Sequence, residues 1–168
     1  MNIIGIDPGY DRIGIAILEK EKSKDALIFS TCIETNRKEE HAERLNFLAE
    51  ALRKIIKEYK PDVLAIEKLF FSKNQKTAMK VSEARGVIIE CAKNLGLKVR
   101  EFSPAEIKIA VTGYGASDKK SVMKMVPVLI KMDDRKRLDD EYDAIATAIA
   151  CSAIAQIPNP KFQIGLKF

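Results

Sequence analysis

Four carboxylates in this chain stand where an apolar segment ends or begins. Asp7 closes the run IIGID and Glu67 closes VLAIE. Such a run is typical of a buried strand, and the ligands of α/β sheets gather beyond the carboxyl ends of strands. Asp140 and Asp143 stand three positions apart in DDEYDAIATAIA, so a helix would present both on one face.

If these three sites meet, several negative charges share one cleft. They cannot all remain ionised side by side unless a cation neutralises them. A ligand set made only of oxygens favours Mg²⁺ or Mn²⁺ over zinc. His41 is the only histidine and the cysteines form no CxxC pair, so a zinc site of His and Cys is nearly excluded. A Ser-His-Asp triad would have to use His41.

Length and composition describe an ordinary globular chain with a basic excess. Its 168 residues, 46% hydrophobic and 32% charged, predict one domain with a sizeable core. The net charge of +5 favours a polyanionic partner, although a merely soluble basic protein is equally compatible with it. Cys32, Cys91 and Cys151 lie in apolar stretches and are predicted to be buried free thiols. With no visible signal peptide or membrane-spanning run, we expect a cytosolic protein without membrane contact.

The apolar patterns predict an α/β fold with a mixed five-stranded sheet flanked by helices. Three strands in an antiparallel meander come first, followed by alternating helices and strands and then by further helices. The predicted strands are 2–6, 13–18, 26–35, 62–66 and 97–102. The predicted helices are 39–59, 74–95, a short one capped by Ser103, one of about 118–132 capped by Ser117, and 138–157. We expect one domain over 1–157 and a short C-terminal tail over 158–168.

Five segments, in order, resemble the RuvC family of Holliday junction resolvases, within the ribonuclease H-like superfamily. Any one segment is a weak signal, but five at fitting spacing from Asn2 to Ala155 are a specific one. The resemblance implies a ribonuclease H-like fold and metal-dependent cleavage of four-way DNA junctions in recombination and repair. It also implies a homodimer and, as a further partner, a branch-migration helicase. The segments are GIDPG with RIGIA, AIEKLFFSKN, SEARGVIIECA, TGYGASDKKSV and DDEYDAIATAIA.

Carried over residue by residue, the resemblance makes the four acids both catalytic residues and metal ligands. They are Asp7, Glu67, Asp140 and Asp143. The implied cofactor is Mg²⁺, two ions per site, with Mn²⁺ as a substitute. Two such ions, about 3.5–4 Å apart, can activate water on one side of a phosphorus and stabilise the leaving oxygen on the other.

The resemblance also implies DNA-binding residues. Phe70 matches a wedge near the junction point, and an aromatic face beside lysines suits the stacking of unpaired bases. Lys73 lies in the same segment, and Lys108 and Lys119 are placed near the active site. A buried hydrophobic cluster is the alternative for Phe70, and a solvated surface position is the alternative for each lysine. Other cations that could track phosphates are Lys68, Lys76, Lys80, Lys120 and Arg85.

Simpler interpretations exist for several residues. Asp7 could form a turn before Pro-Gly, and Glu67 could be a surface acid. Asp139 and Glu141 fit the role of charges that complement a helix N-terminus. Gly86, inside a predicted helix, suggests close packing against a second helix, which the resemblance assigns to a dimer interface.

Three other functions are compatible with parts of the sequence. DPGYDRIGIA also resembles the opening of the pre-rRNA-processing resolvase-like nucleases. The actin-like kinases and ATPases share a GID-x-G hairpin but need a duplicated domain, which this chain cannot supply. A non-catalytic DNA-binding module would require the four acids to be coincidental.

Overall fold

The computed structural model describes residues 1–69 and 75–154, and within these it forms a mixed sheet between two layers of helices. The strands are β1 Asn2–Asp7, β2 Arg12–Glu19, β3 Ala26–Glu34, β4 Val63–Glu67 and β5 Lys98–Phe102. The five-stranded sheet has the order β3-β2-β1-β4-β5. β1 pairs antiparallel with β2, and β2 with β3, whereas β1–β4 and β4–β5 are parallel. The predicted meander and mixed sheet are therefore confirmed.

Alternation along the central strands divides the core into two halves. The helices that cover the sheet are α1 His41–Tyr59, α2 Gln75–Asn94, α3 Pro104–Thr112, α4 Lys119–Leu129 and α5 Asp139–Ile154. Ile4 and Ile6 of β1 face the layer of α1 and α2, whereas Ile3 faces the layer of α3, α4 and α5. Successive side chains of a strand point to opposite faces, so a strand covered on both sides is apolar throughout.

The helix ends follow local capping chemistry. Ser103 and Glu106 form the expected capping box at the start of α3. The predicted cap of α4 is wrong, because Asp118 rather than Ser117 accepts the backbone N–H of Ser121, at 2.8 Å. That helix also stops at Leu129, since the chain then turns to pair with the start of β3.

The cysteine prediction is confirmed in two of three cases. Cys91 and Cys151 are buried free thiols, but Cys32 is only half-buried, on the outer strand β3, and lies beside Asp140. Burial, followed by the charge of Asp140, raises the pKa of the Cys32 thiol to about 11. Across the described residues, no helix combines the length and apolarity needed to span a membrane.

Helix α5 lies directly on the sheet because glycines leave room for it. A Cβ on Gly5 of β1 would come within 2.2 Å of the carbonyl oxygen of Ala144, and one on Gly14 of β2 within 1.9 Å of that of Asp140. Both obstacles are backbone atoms of α5, which cannot rotate away as a side chain can. The two glycines therefore fix the distance between α5 and the strands.

We predict that Gly5→Ala destabilises the protein by roughly 1–3 kcal/mol or more, because the added methyl forces α5 off the sheet. Urea unfolding monitored by circular dichroism measures the change. Gly115→Ala is the matched control, since its Cβ would meet the side chain of Ile109 at 3.3 Å, and that side chain is exposed and can move. Equal stability of the Gly5→Ala variant and the wild type would contradict the close packing of α5.

Candidate active site

The four acids predicted from the sequence converge at one edge of the sheet. Ile6 of β1 pairs with Ile66 of β4, so Asp7 and Glu67, each one residue further on, leave two neighbouring parallel strands side by side. Asp7 in turn pairs with Gly14 of β2, on which the first turn of α5 rests. This contact brings the start of α5 to the same edge. We call the set the acid cluster: Asp7, Glu67, Asp140 and Asp143.

The carboxylates of the acid cluster repel one another, and this repulsion helps to raise the pKa of two of them. Burial, reinforced by the charges of Asp143, Glu67 and Asp140, raises the pKa of Asp7 to about 7. Burial and the charge of Asp143 also raise the pKa of Glu67. The simpler interpretation of Asp7 as a solvated turn residue does not account for this coupling.

One predicted lysine contacts the acid cluster, and a second acts on it through its charge. The Nζ of Lys119 donates a hydrogen bond to Asp143 at 2.8 Å and lies 3.5 Å from Asp139. Burial acts to lower the pKa of Lys119, but the hydrogen bond and charge of Asp143 outweigh it and raise that pKa. The charge of Lys108 partly offsets the raised pKa of Glu67. A cation already supplies part of the neutralisation that the acids require.

The donor chemistry of the acid cluster fits a hard divalent cation. All of its donors are carboxylate oxygens, which Mg²⁺ and Mn²⁺ prefer, and no histidine or thiolate belongs to it. Within residues 1–69 and 75–154, no three acidic, histidine or cysteine side chains are already gathered around one metal position.

Arg85 is partly buried and contacts two strands of the sheet. Its Nε donates to the backbone carbonyl of Glu67 at 3.1 Å, and its guanidinium forms an ion pair with Glu101. Two of its nitrogens are therefore already engaged within the fold, and a phosphate contact of Arg85 stays a prediction. The residue ties α2 to the end of β4.

Glu141 has its predicted place as an acid at a helix N-terminus, in the first turn of α5. The structure adds that its carboxylate is buried against Ser30 and Arg135. Burial acts to raise its pKa, but hydrogen bonds from Arg135 and Ser30 hold that pKa below the ordinary value. Arg137, in the segment directly before α5, is likewise buried. The sequence signal that could have pointed to this buried network was Ser30, a polar residue in the largely apolar strand β3.

Phe70 and Lys73, the predicted wedge and its neighbour, lie outside the described residues, as does the tail 158–168. Gly86 lies exposed on α2, and an added Cβ would meet no atom within 4 Å, so no helix of residues 1–69 and 75–154 packs there.

Comparison with known proteins gives the family directly. The family model described as Crossover junction endodeoxyribonuclease RuvC matches residues 3–151. A protein of that description from Thermosipho melanesiensis is 47% identical over 148 residues, which cover 88% of this chain and 94% of the relative. One from Petrotoga mobilis is 45% identical, with coverages of 88% and 91%.

Solved structures agree with this assignment. The RuvC structure of Thermus thermophilus superposes with a TM-score of 0.84 at 26% identity, covering 92% of this chain and 95% of that one. The same protein in complex with a Holliday junction substrate gives a TM-score of 0.87, with coverages of 92% and 94%. The fold is thus ribonuclease H-like, and the resemblance found in the sequence motifs is confirmed: the chain belongs to the RuvC family of crossover junction endodeoxyribonucleases.

Proposed function

We propose that this protein resolves four-way DNA junctions by metal-dependent hydrolysis of phosphodiester bonds, with the acid cluster as its metal-binding site. The observation that carries the proposal is the convergence of four coupled carboxylates at the sheet edge of a RuvC-family fold. A related protein of the same fold has been seen in complex with a Holliday junction substrate. A non-catalytic DNA-binding module would gain nothing from four carboxylates held close together, whereas a metal site needs them as ligands.

The size of the acid cluster favours two ions. Mg²⁺ usually takes only one or two carboxylates from a protein and keeps several waters, so four carboxylates exceed the needs of one ion. When bound, a pair of divalent ions supplies an activated water and stabilises charge on the leaving oxygen. The protein contributes the rigid backbone to which each carboxylate is attached, at the ends of two strands and at the start of α5.

Lys108 and Lys119 supply positive charge at the same edge. Both act on the acids electrostatically in the free protein, and both would lie beside a phosphate held at the acid cluster. A lysine there would stabilise the extra negative charge of the pentacovalent phosphorus in the transition state. Lysines of this kind would also contribute salt-dependent affinity for the DNA backbone.

A homodimer would place two identical sites on the two equivalent strands of a junction. The exposed face of α2 offers a surface for the second copy, because Met79 is 67% exposed there and Gly86 leaves open space. A glycine inside a helix lowers helix stability by about 1 kcal/mol relative to alanine. Close packing of a second helix against Gly86 would offset that loss.

The first test of the proposal is removal of single charges from the acid cluster. Asp7→Asn, Glu67→Gln, Asp140→Asn and Asp143→Asn should each lower cleavage of a four-way junction by about 100-fold or more, because each removes metal-dependent stabilisation of the transition state. Binding to the junction, measured by gel shift without a divalent metal, should persist. Near-normal cleavage by two of these variants would contradict the site, and linear duplex and RNA–DNA hybrid serve as substrate controls.

The second prediction concerns pH in the absence of metal. The pKa of Asp7 is about 7 in the folded protein against 3.8 for an ordinary carboxyl, so the folded state holds a proton more tightly than the unfolded chain. The resulting stability is complete below about pH 4 and is lost as the pH rises to about 7.

Asp7→Asn should therefore melt several degrees above wild type at pH 8 without metal, and this advantage should shrink toward pH 4. Mg²⁺ should raise the melting temperature of the wild type at pH 8 and have less effect on Asp7→Asn. Scanning calorimetry at several pH values measures both. A melting advantage that does not change with pH would contradict the coupling of Asp7 to its neighbours.

The third prediction tests the dimer surface. Gly86→Leu should be tolerated by the isolated fold, because no atom of the described part of the chain lies within 4 Å of a Cβ at Gly86, but it should weaken self-association. Sedimentation equilibrium should give about twice 18.8 kDa for the wild type and a lower average mass for the variant. Lys54→Leu, on the exposed part of α1, is the control and should leave the mass unchanged. A purely monomeric wild type, free and bound to a junction, would contradict the dimer.

A further inference from the structure

Glu141 stands between two residues of the acid cluster in sequence but points away from them. It belongs to the first turn of α5, together with Asp140, and only 4% of its surface is exposed. An ionised carboxylate in such a position is costly unless its oxygens are hydrogen-bonded and its charge is paired. Its partners therefore reveal what the residue holds in place.

One oxygen of Glu141 caps the helix. Oε1 accepts the backbone N–H of Leu138 at 3.2 Å, the residue directly before α5. Glu141 is the third residue of α5, so this is the returning half of a capping box, with the side chain satisfying a backbone donor at the helix start. Leu138 has no polar side chain of its own for this purpose. The first turn of α5 is therefore closed by Glu141.

The other oxygen joins α5 to strand β3. Oε2 accepts the hydroxyl of Ser30 at 2.7 Å and the guanidinium of Arg135 at 2.6 Å. Arg135 also donates to the carbonyl oxygen of Ser30 at 2.7 Å, and Arg137 donates to its hydroxyl at 3.2 Å. Strand β3, the segment before α5 and the first turn of α5 thus share one carboxylate.

This network holds the start of α5, where Asp140 lies in the first turn and Asp143 directly after it. The carbonyl oxygen of Asp140 lies against Gly14, so the turn cannot move toward the sheet. The carboxylate of Glu141 prevents it from unwinding or tilting away from β3. Asp140 and Asp143 therefore start from a fixed backbone even though their charges repel Asp7.

We propose that Glu141 is a positioning residue for the metal site: with Ser30 and Arg135 it sets the orientation of the first turn of α5, and thereby of Asp140 and Asp143. The inference deepens the proposed function and rests on it. Groups that orient the ligands of a metal typically change its affinity about 10–100-fold when removed. A purely structural role would lower stability and leave the affinity of the folded protein for metal unchanged.

The test measures Mn²⁺ binding to the whole protein without DNA, by electron paramagnetic resonance, at a temperature well below the melting point of every variant. Glu141→Ala should weaken Mn²⁺ binding about 10-fold, and Glu141→Gln, which keeps an oxygen acceptor, should weaken it less. Ser30→Ala gives the same direction of change with the carboxylate intact and decides the question if neither Glu141 variant folds. The Mn²⁺ concentration for half-maximal junction cleavage should rise in parallel.

Leu52→Ala is the matched control, because it removes a buried side chain of α1 on the opposite face of the sheet. It should lower the melting temperature and leave Mn²⁺ affinity unchanged. Wild-type affinity in the folded Glu141 and Ser30 variants, or an equal loss in Leu52→Ala, would overturn the inference. Asp140→Asn and Asp143→Asn separate it from the proposed function: if they also bind Mn²⁺ normally, the metal site itself is wrongly assigned.

Discussion

Repulsion among the carboxylates of the acid cluster is the constraint that the rest of the molecule has to satisfy. Asp7 is held in a place where burial and three neighbouring charges oppose its ionisation. Flexible loops would relieve that repulsion by moving apart. Here each acid is attached to an element that cannot move easily: the end of a central strand or the first turn of a packed helix. The stability of the core thus maintains a site that is locally unfavourable without a cation.

The contact between α5 and the sheet is where that rigidity is greatest. Gly5 and Gly14 let the helix backbone approach the strands more closely than any side chain would allow. Small residues along α5, such as Ala144 and Ala148, continue the contact across both central strands. A close-packed interface of this kind has little freedom to relax, so the acids at its end keep their positions.

Much of this arrangement could be predicted from local patterns, because the patterns and the fold obey the same geometry. An apolar run ending in an acid predicted the places of Asp7 and Glu67, since parallel strands end at a common edge. The buried role of Glu141 could not be predicted, because its partner Ser30 is 111 residues away and an acid in a first helical turn is usually solvated. The partners of Arg85 could not be predicted for the same reason: they come from β4 and β5.

The ion pair between Lys119 and Asp143 belongs to the metal-free protein and would have to change when metal and DNA bind. In the free protein the ammonium group takes the position of counterion, and its raised pKa shows that the acids favour its charge. A divalent ion bound by Asp143 would compete for the same carboxylate and carry twice the charge. Lys119, displaced but still tethered at the start of α4, would then be free to pair with a phosphate of the DNA. Binding of the metal ion and binding of the DNA backbone would therefore favour one another. The metal ion would pair with the Asp143 that Lys119 leaves, and the phosphate would pair with the Lys119 that the metal ion displaces.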